Sequence, residues 1–343
     1  ASCLVGSEMC IRDRGLFSDL KIASSPDFEK HLNQHDVIYL DMTEFADNKD
    51  NGIRYLENLN TDVVSELKDT YPECFDKDKD YSLPEAIFCL KKRFIFIIDE
   101  WDFVFREYPN NTNLHKNFID LLRALFKGVG ENFVELVYMT GILPIARYNT
   151  QSALNNFNEY TILKSSNYSQ YYGFTENEVK TLCEKYQLDF ETAKFWYNGY
   201  KVGEYEIYNP NSIKKLITRR EFQSYWSYTS AYGIVTEAIN QNFEGLKDDV
   251  LSMIAGESVP VNTGSFTNDM TTFRTEDDVL TLLIHLGYLS YDYENKTVKI
   301  PNNEVREEYV NSVSVSDWGE ISKALKNSAD TLQAIWQGRP EQV

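Results

Sequence analysis

Apolar residues in the first half of the chain form short continuous runs that alternate with segments of helical spacing. The runs that predict strands buried in a parallel sheet are residues 36–41, 94–98 and 134–138. Segments with helical spacing of apolar residues are 53–70, 83–90 and 113–128. Because strands alternate with helices, this half is predicted to be an α/β fold with crossover connections.

The pattern changes after about Tyr172, where helices and short hairpins are predicted instead. Thr175 and Glu178 have the spacing of a capping box, which predicts a helix that ends near Tyr186. The further helical segments are 189–197, 212–255, 276–286 and 304–310. A weak strand is predicted at 160–163, a turn-rich stretch at 198–210 and a hairpin at 288–300. The order helix, hairpin, helix near the end predicts a winged-helix-like unit.

Composition and charge narrow the classes of function. The chain has 343 residues, of which 42% are hydrophobic, and no apolar run reaches the length of a membrane helix. Its 34 lysines and arginines face 53 aspartates and glutamates, which gives a net charge of −19. Such a field repels nucleic-acid phosphates, so any contact with nucleic acid is expected to be local or indirect.

The first fourteen residues, ASCLVGSEMCIRDR, resemble a translated sequencing-adapter sequence of the kind found in metagenomic gene predictions. We therefore expect the native chain to begin near Gly15, with a frayed natural N-terminus as the alternative. Without Cys3 and Cys10, the remaining cysteines are Cys74, Cys89 and Cys183. Their odd number and lack of C-x-x-C spacing predict reduced thiols and a cytoplasmic location.

The strongest candidate for a site is the end of the second predicted strand, where FIFII is followed by Asp99 and Glu100. A buried strand that ends in two acids resembles a Walker B element. The first acid, Asp99, would hold Mg²⁺, directly or through water, and Glu100 would orient or deprotonate the attacking water. Many strands end in an acidic loop, so these residues alone leave both interpretations open.

Two further residues support a nucleotide site. Thr140 follows the next predicted strand, where a polar side chain would point at the terminal phosphate or the water. A helix cap or a turn would equally explain Thr140 followed by Gly141. Arg147 is a candidate phosphate sensor, with a solvated surface charge as the alternative.

A metal nuclease site is another interpretation of the clustered acids Asp99, Glu100, Asp102 and Glu107. It is poorly supported, because no well-spaced acid and E-x-K set accompanies them.

The phosphate-binding half of such a site is missing from the sequence. A phosphate loop needs G-x-x-x-x-G-K-[ST], and no Gly-Lys dipeptide occurs in these 343 residues. Gly128 and Gly130 follow a predicted helix and lack the lysine. The sequence therefore predicts the metal side of a nucleotide site without its phosphate side.

Eight segments in order resemble the bacterial AAA-ATPase-like family, a group of P-loop NTPases usually fused to a C-terminal PD-(D/E)XK nuclease domain. They are LFSDLKI at 16–22, VIYLD at 37–41, IIDEWD at 97–102, TGILPIAR at 140–147, YGFTE at 172–176, WYNGY at 196–200, IYNPNSI at 207–213 and IPNNEVR at 300–306. The resemblance covers about residues 15–310. It implies ATP and Mg²⁺ as ligands, Asp99 and Glu100 as the Walker B acids, and Thr140 at the sensor position.

The resemblance also implies a fold: a truncated P-loop NTPase (AAA/STAND-like) parallel sheet missing its first strand, followed by an α-helical lid and a winged-helix-like unit. The expected divisions are a non-native segment 1–14, an incomplete NTPase core 15–172, a lid 173–265, and a winged-helix-like unit with the start of a linker at 266–343. Since the missing strand would lie in the middle of the sheet, we expect a gapped or locally collapsed sheet, in which residues 2–5 could pair by chance. The motifs around Trp196 and Tyr208 are interpreted as packing and turn residues.

We therefore expect a fragment of a regulatory ATPase that is inactive alone and that controls a nuclease, or forms a homo-oligomer, in the intact protein. Two alternatives remain open. One is a nucleotide-independent scaffold that binds proteins. The other is a winged-helix module that binds nucleic acid, although its first helix would begin with Glu276, Asp277 and Asp278, where DNA recognition favours basic residues.

Overall fold

The structure is a computed structural model that describes residues 4–5, 15–46, 51–142, 154–226, 243, 245–264, 266 and 273–315. The described residues divide into two compact units, one that ends at Glu159 and one that begins at Tyr160. The finer division into core, lid and winged-helix-like unit stays a prediction.

The first unit is built on a four-stranded sheet with the order β1-β2-β3-β4. The strands are β1 (Leu4–Val5), β2 (Asp36–Asp41), β3 (Phe94–Asp99) and β4 (Val134–Met139). The last three are parallel, and β1 pairs antiparallel with β2. All three predicted strands are present, each within one residue of its predicted end, so the α/β fold with a parallel sheet is confirmed.

Helices cover one face of this sheet. The covering helices are α2 (Tyr55–Thr70), α3 (Leu83–Leu90), α4 (Phe103–Glu107) and α5 (Thr112–Phe126), whereas α1 (Phe28–His31) has no buried residue. Short 3₁₀ turns are Lys21–Ser24, Pro72–Cys74 and Gly128–Phe133. Ile38, Leu40, Phe96 and Ile98 alternate along β2 and β3 toward these helices and are buried with α2, α3 and α5 in one core. Phe96 contacts Phe126 of α5, with ring centroids 5.1 Å apart.

The opposite face of the sheet becomes more exposed toward β4. Across the strands, Tyr39, Ile97 and Tyr138 are register partners on this face. Tyr39 and Ile97 are half-buried, whereas Tyr138 is 60% exposed and its neighbour Leu136 is 55% exposed. Among the described residues, β4 pairs only with β3. The sheet therefore has an apolar face and an edge that no described element covers.

The prediction that residues 2–5 fill a central gap is wrong in its position. Leu4 and Val5 do form a strand, but they pair with Ile38 and Val37 on the outer side of β2. The open edge lies at β4, on the other side of the sheet. No strand is formed by the described residues 15–35, which contain only helical turns.

The second unit contains two three-stranded antiparallel sheets. One has the order β5-β7-β6 and the other β8-β10-β9. The strands are β5 (Phe174–Thr175), β6 (Tyr200–Val202), β7 (Tyr205–Tyr208), β8 (Val259–Pro260), β9 (Ser290–Asp292) and β10 (Thr297–Lys299). The helices are α6 (Glu176–Tyr186), α7 (Phe190–Tyr197), α8 (Pro210–Arg219), α9 (Leu246–Ile254), α10 (Glu276–His285) and α11 (Asn303–Val315), and Ser166–Tyr171 is a 3₁₀ turn.

Three secondary-structure predictions for this unit need correction. Residues 198–210 are not only turns: they contain the hairpin of β6 and β7, in which Tyr200 and Val202 are buried around exposed Lys201. The weak strand at 160–163 is an isolated bridge between Thr161 and Lys164. Helix over 212–255 is limited, in the described part, to α8 and α9. The predicted helix, hairpin and helix of residues 276–310 are present, with β8 as a third strand beside the hairpin.

The predicted capping box is present at the start of α6. The backbone N–H of Thr175 donates to Glu178 Oε2 at 2.9 Å, and the N–H of Glu178 donates to Thr175 Oγ1 at 3.4 Å. Thr175→Ala removes one side of this exchange, so we expect it to lower the free energy of unfolding by about 1 kcal/mol. Urea denaturation measures the change. Thr181→Ala, on the exposed surface of the same helix, is the control and should cost less.

None of the helices in the described residues is both long and apolar enough to cross a lipid bilayer.

Candidate functional site

The parallel strands β2, β3 and β4 all end at the same edge of the first unit's sheet. Asp41 ends β2 and is the register partner of Asp99, which ends β3. Thr140 directly follows β4. Since side chains alternate along a strand, Asp41 and Asp99 lie on the open face with Tyr39 and Ile97. The sheet therefore brings two carboxylates and a hydroxyl together at its carboxyl end, where ligands bind in open α/β sheets.

Asp99 is held by the loops that follow β3 and β4. The hydroxyl of Thr140 donates to Asp99 Oδ1, and the backbone N–H of Glu100 donates to the same oxygen at 3.0 Å. Backbone hydrogen bonds join the two strand ends as well: Thr140 N–H to Ile98 O and Trp101 N–H to Thr140 O, both at 2.9 Å. Thr140 and Asp99 are thus fixed relative to each other by side chain and main chain together.

Asp41 is oriented in a similar way from the neighbouring strand. Its Oδ1 accepts from the backbone N–H of Thr43 at 2.9 Å and from the Thr43 hydroxyl at 2.7 Å. Burial raises the pKa of the nearby Tyr39 hydroxyl, and the charges of Asp99 and Asp41 raise it further. Tyr39 therefore remains a neutral hydroxyl beside two carboxylates and can donate a hydrogen bond to them.

Glu100 lies next to Asp99, but its carboxylate forms an ion pair with Arg106. Its backbone has a φ of +53°, in the left-handed region that costs a non-glycine residue energy and often marks functional loops. Partial burial raises the pKa of Glu100. Arg106 opposes this increase, while the charges of Asp102, Asp99 and Asp41 add to it. The structure thus presents Glu100 as a carboxylate with raised basicity that is bound to a guanidinium.

Asp102 connects the loop that follows β3 to the loop that follows β4. Its carboxylate is fully buried, pairs with Arg106 Nε at 3.2 Å and accepts from the backbone N–H of Ile142 at 3.1 Å. Gly141 passes so close that a Cβ there would lie 2.5 Å from Trp101 Cδ1 and 2.7 Å from Asp102 Oδ1. Only glycine fits this position, so the Thr140–Gly141 pair is required by packing as well as by the site.

These groups fit one side of a magnesium site. The described residues contain no group of three or more His, Cys, Asp or Glu side chains arranged to hold a metal ion. Mg²⁺, however, usually takes one or two carboxylates and completes its octahedron with water and substrate phosphates. Asp99, with Asp41 beside it, provides this kind of incomplete donor set.

Asp99, Glu100 and Thr140 lie together at the end of the sheet, as the strand pattern indicated. Arg147 lies outside the described residues. Sequence reasoning did not include Asp41 or Arg106 in the site, although Asp41 ends its strand in the same way as Asp99.

Comparison with known proteins gives two results. Residues 8–150 match the sequence profile of a family described as "Predicted AAA-ATPase". A protein of Azotobacter chroococcum mcd 1, described as an uncharacterized protein in the vnfD 5′ region, is 25% identical over 154 residues. This match covers 44% of the present chain and 30% of the Azotobacter protein, so the chain spans less than a third of that relative. The segment that matches the predicted AAA-ATPase family is therefore the one that contains Asp99, Glu100 and Thr140.

Proposed function

We propose that this chain supplies the magnesium side of the ATP site of an AAA-type ATPase. The observation that carries the proposal is the hydrogen bond from Thr140 to Asp99 across the ends of two adjacent parallel strands. A strand-end carboxylate with a hydroxyl from the neighbouring strand is the arrangement expected around a metal-bound phosphate. The family match over residues 8–150 supports the same function.

Each residue has a distinct role in this proposal. Asp99 holds Mg²⁺, directly or through a water molecule, and Asp41 adds negative charge beside it. Thr140 orients the Asp99 carboxylate and presents its hydroxyl to the terminal phosphate or the attacking water. Glu100 accepts the proton of that water, which requires its carboxylate to leave Arg106. Bound Mg²⁺ would neutralise charge on the phosphates.

The phosphate-binding loop, in this proposal, is carried by residues outside these 343. The chain has no Gly-Lys dipeptide, and the open edge of β4 is the place where a further parallel strand can pair. Leu136 and Tyr138, exposed beside that edge, would be covered by the same segment. The added segment would then supply the phosphate-binding part of the site, next to the magnesium-binding part formed by Asp99 and Thr140.

Calorimetric titration with Mg²⁺-ATP tests the proposal. We expect no measurable binding to the present chain, and binding once an upstream strand with a G-x-x-x-x-G-K-[ST] loop is joined to it. In the joined protein, Thr140→Val should lower magnesium-dependent nucleotide affinity by roughly 10- to 100-fold, because outer partners of metal ligands have effects of that size.

Thr181→Val is the matched control, since Thr181 is exposed on α6 and its hydroxyl bonds only within that helix. It should leave nucleotide affinity unchanged. Equal binding of Mg²⁺-ATP by the present chain and the joined protein would contradict the proposal, because the nucleotide would then be held elsewhere. The proposal would also be contradicted if both Thr140→Val and Asp99→Asn kept the nucleotide affinity of the joined protein.

Coupling to a PD-(D/E)XK nuclease, assembly into a homo-oligomer and indirect contact with nucleic acid stay predictions from the resemblance. Direct DNA binding by α10 is not favoured. Its first turn contains Glu276, Asp277 and Asp278, and a helix that enters a DNA groove needs basic residues there. A nucleotide-independent scaffold is the result that the titration would support if neither protein bound ATP.

A further inference from the structure

A buried carboxylate, Glu304 of α11, joins three parts of the second unit. Glu304 is only 1% exposed to solvent. Its Oε1 accepts from the backbone N–H of Tyr225 at 2.8 Å, and the hydroxyl of Ser212, in α8, lies 2.8 Å from its Oε2. Glu304 therefore holds α8 and the 221–226 segment, which follows α8, against α11.

A second buried acid lies one helical turn further along α11. Glu308 is 3% exposed, and its Oε1 accepts from the hydroxyl of Ser224 at 2.9 Å. Both acids thus bind the same 221–226 segment through neutral donors. Tyr197 of α7 holds this segment from another side, because its hydroxyl donates to Gln223 O at 3.0 Å. The segment is fixed by hydrogen bonds from α7 and α11 together.

The groups around Glu304 provide little positive charge. On its own helix it faces Glu308, and from α8 it faces Lys215. Tyr197 of α7, Tyr200 of β6 and Tyr225 of the 221–226 segment are the further titratable neighbours. No ion pair to Glu304 is formed by a lysine or arginine of the described residues. An ionised Glu304 would be a buried charge next to another acid.

The pKa of the Glu304 carboxyl group is raised, as expected for a buried acid with little positive charge around it. Burial raises its pKa from the ordinary 4.5 to about 7, and the charge of Glu308 adds to the increase. Hydrogen bonds from Tyr225 and Ser212 and the attraction of Lys215 oppose it but are smaller than the effect of burial. With the proton on Oε2, the carboxyl group can donate to the Ser212 oxygen while Oε1 still accepts from Tyr225.

We propose that Glu304 is a proton-controlled latch that joins α8 and the 221–226 segment to α11. With the proton bound, the three parts are held together. When the carboxyl ionises, the buried charge beside Glu308 favours opening of the segment toward water. Because the folded state binds this proton more tightly than the unfolded chain, the latch loses stability as the pH rises from about 4.5 to about 7. This latch goes beyond the proposed ATPase function and does not depend on it.

Nuclear magnetic resonance of ¹³C-labelled glutamate carboxyl groups in the full chain tests the latch. We expect one resonance to titrate near pH 7 and to be absent in Glu304→Gln. Amide exchange of Tyr225 gives the second measurement. After correction for the intrinsic pH dependence of exchange, its protection should fall by roughly tenfold or more between about pH 5 and about pH 7, and it should stay constant in Glu304→Gln.

Glu307→Gln is the matched control, because Glu307 lies on the same helix but is exposed. It should keep both the titration near pH 7 and the fall in Tyr225 protection. If Glu304→Gln does not fold, Ser212→Ala provides the second variant: it removes a hydrogen bond that lowers the Glu304 pKa, so the resonance should titrate at higher pH. A Glu304 carboxyl that titrates near 4.5, or Tyr225 protection that does not change with pH in the wild-type chain, would overturn the proposal.

Discussion

Replacement of Gly199 by alanine should unfold the second unit. The Cβ would lie 1.8 Å from the carbonyl oxygen of Pro301 and 2.6 Å from its carbonyl carbon, and both are backbone atoms that cannot rotate away. The φ of Gly199 is also +116°, where an L side chain is strained. We expect a loss of about 4 kcal/mol or more in the free energy of unfolding, measured by urea denaturation followed by circular dichroism.

The control for this substitution lies in the same unit. Gly256 has a similar φ of +96°, but nothing lies within 4 Å of the position that its Cβ would take. Gly256→Ala therefore carries the backbone strain alone, and we expect it to cost about 1 kcal/mol. If the two variants were equally stable, the close approach of Gly199 to the backbone of Pro301 would not be what makes glycine necessary at position 199.

Asp102→Ala should have the largest effect in the first unit. It removes a fully buried carboxylate that pairs with Arg106 and accepts from the backbone N–H of Ile142. The guanidinium loses its buried partner, and the amide loses its acceptor. Breaking a buried pair in this way costs about 3 kcal/mol or more. The loss is measured by urea denaturation of the full chain, with fluorescence of the neighbouring Trp101 as the local signal.

An exposed ion pair of the same unit shows what burial adds. Asp120 pairs with Arg123 at 3.0 Å on the surface of α5, where both side chains are about half exposed. Asp120→Ala should change the free energy of unfolding by less than about 1 kcal/mol. A loss no larger than this in Asp102→Ala would show that the buried aspartate does not support the loops around Thr140.

Local patterns were sufficient to predict the three parallel strands and the three longer helices of the first unit, but not the short helices α1 and α4. The run from Phe94 to Ile98 is apolar on both faces of β3: Phe94, Phe96 and Ile98 are buried in the core, and the residues between them are half-buried on the other face. Its end at Asp99 was therefore visible in the sequence, and so was the polar residue Thr140 after the next strand. In the second unit, the spacing of Thr175 and Glu178 predicted the start of α6 because the capping box is a local interaction.

Contacts between distant residues were not predictable in the same way. Arg106 lies one turn into a short helix, and nothing in its neighbourhood in the sequence indicates that it binds Glu100. Ser212 and Glu304 are 92 positions apart, so their hydrogen bond depends on how the second unit folds. The hairpin of β6 and β7 was predicted as turns because its strands are only three and four residues long and are flanked by Gly199, Gly203 and the Asn209–Pro210 pair.

One side of β4 pairs with no strand in the described part of the chain, which has a practical consequence for work with the isolated polypeptide. The backbone donors and acceptors beside Leu136 and Tyr138 are a template on which a second molecule can add its own strand. At high protein concentration, we expect the molecules to associate through the edge of β4 and to form oligomers and precipitates. Leu136→Lys should reduce this association, because natural sheets place charged side chains on their edge strands to prevent the addition of further strands.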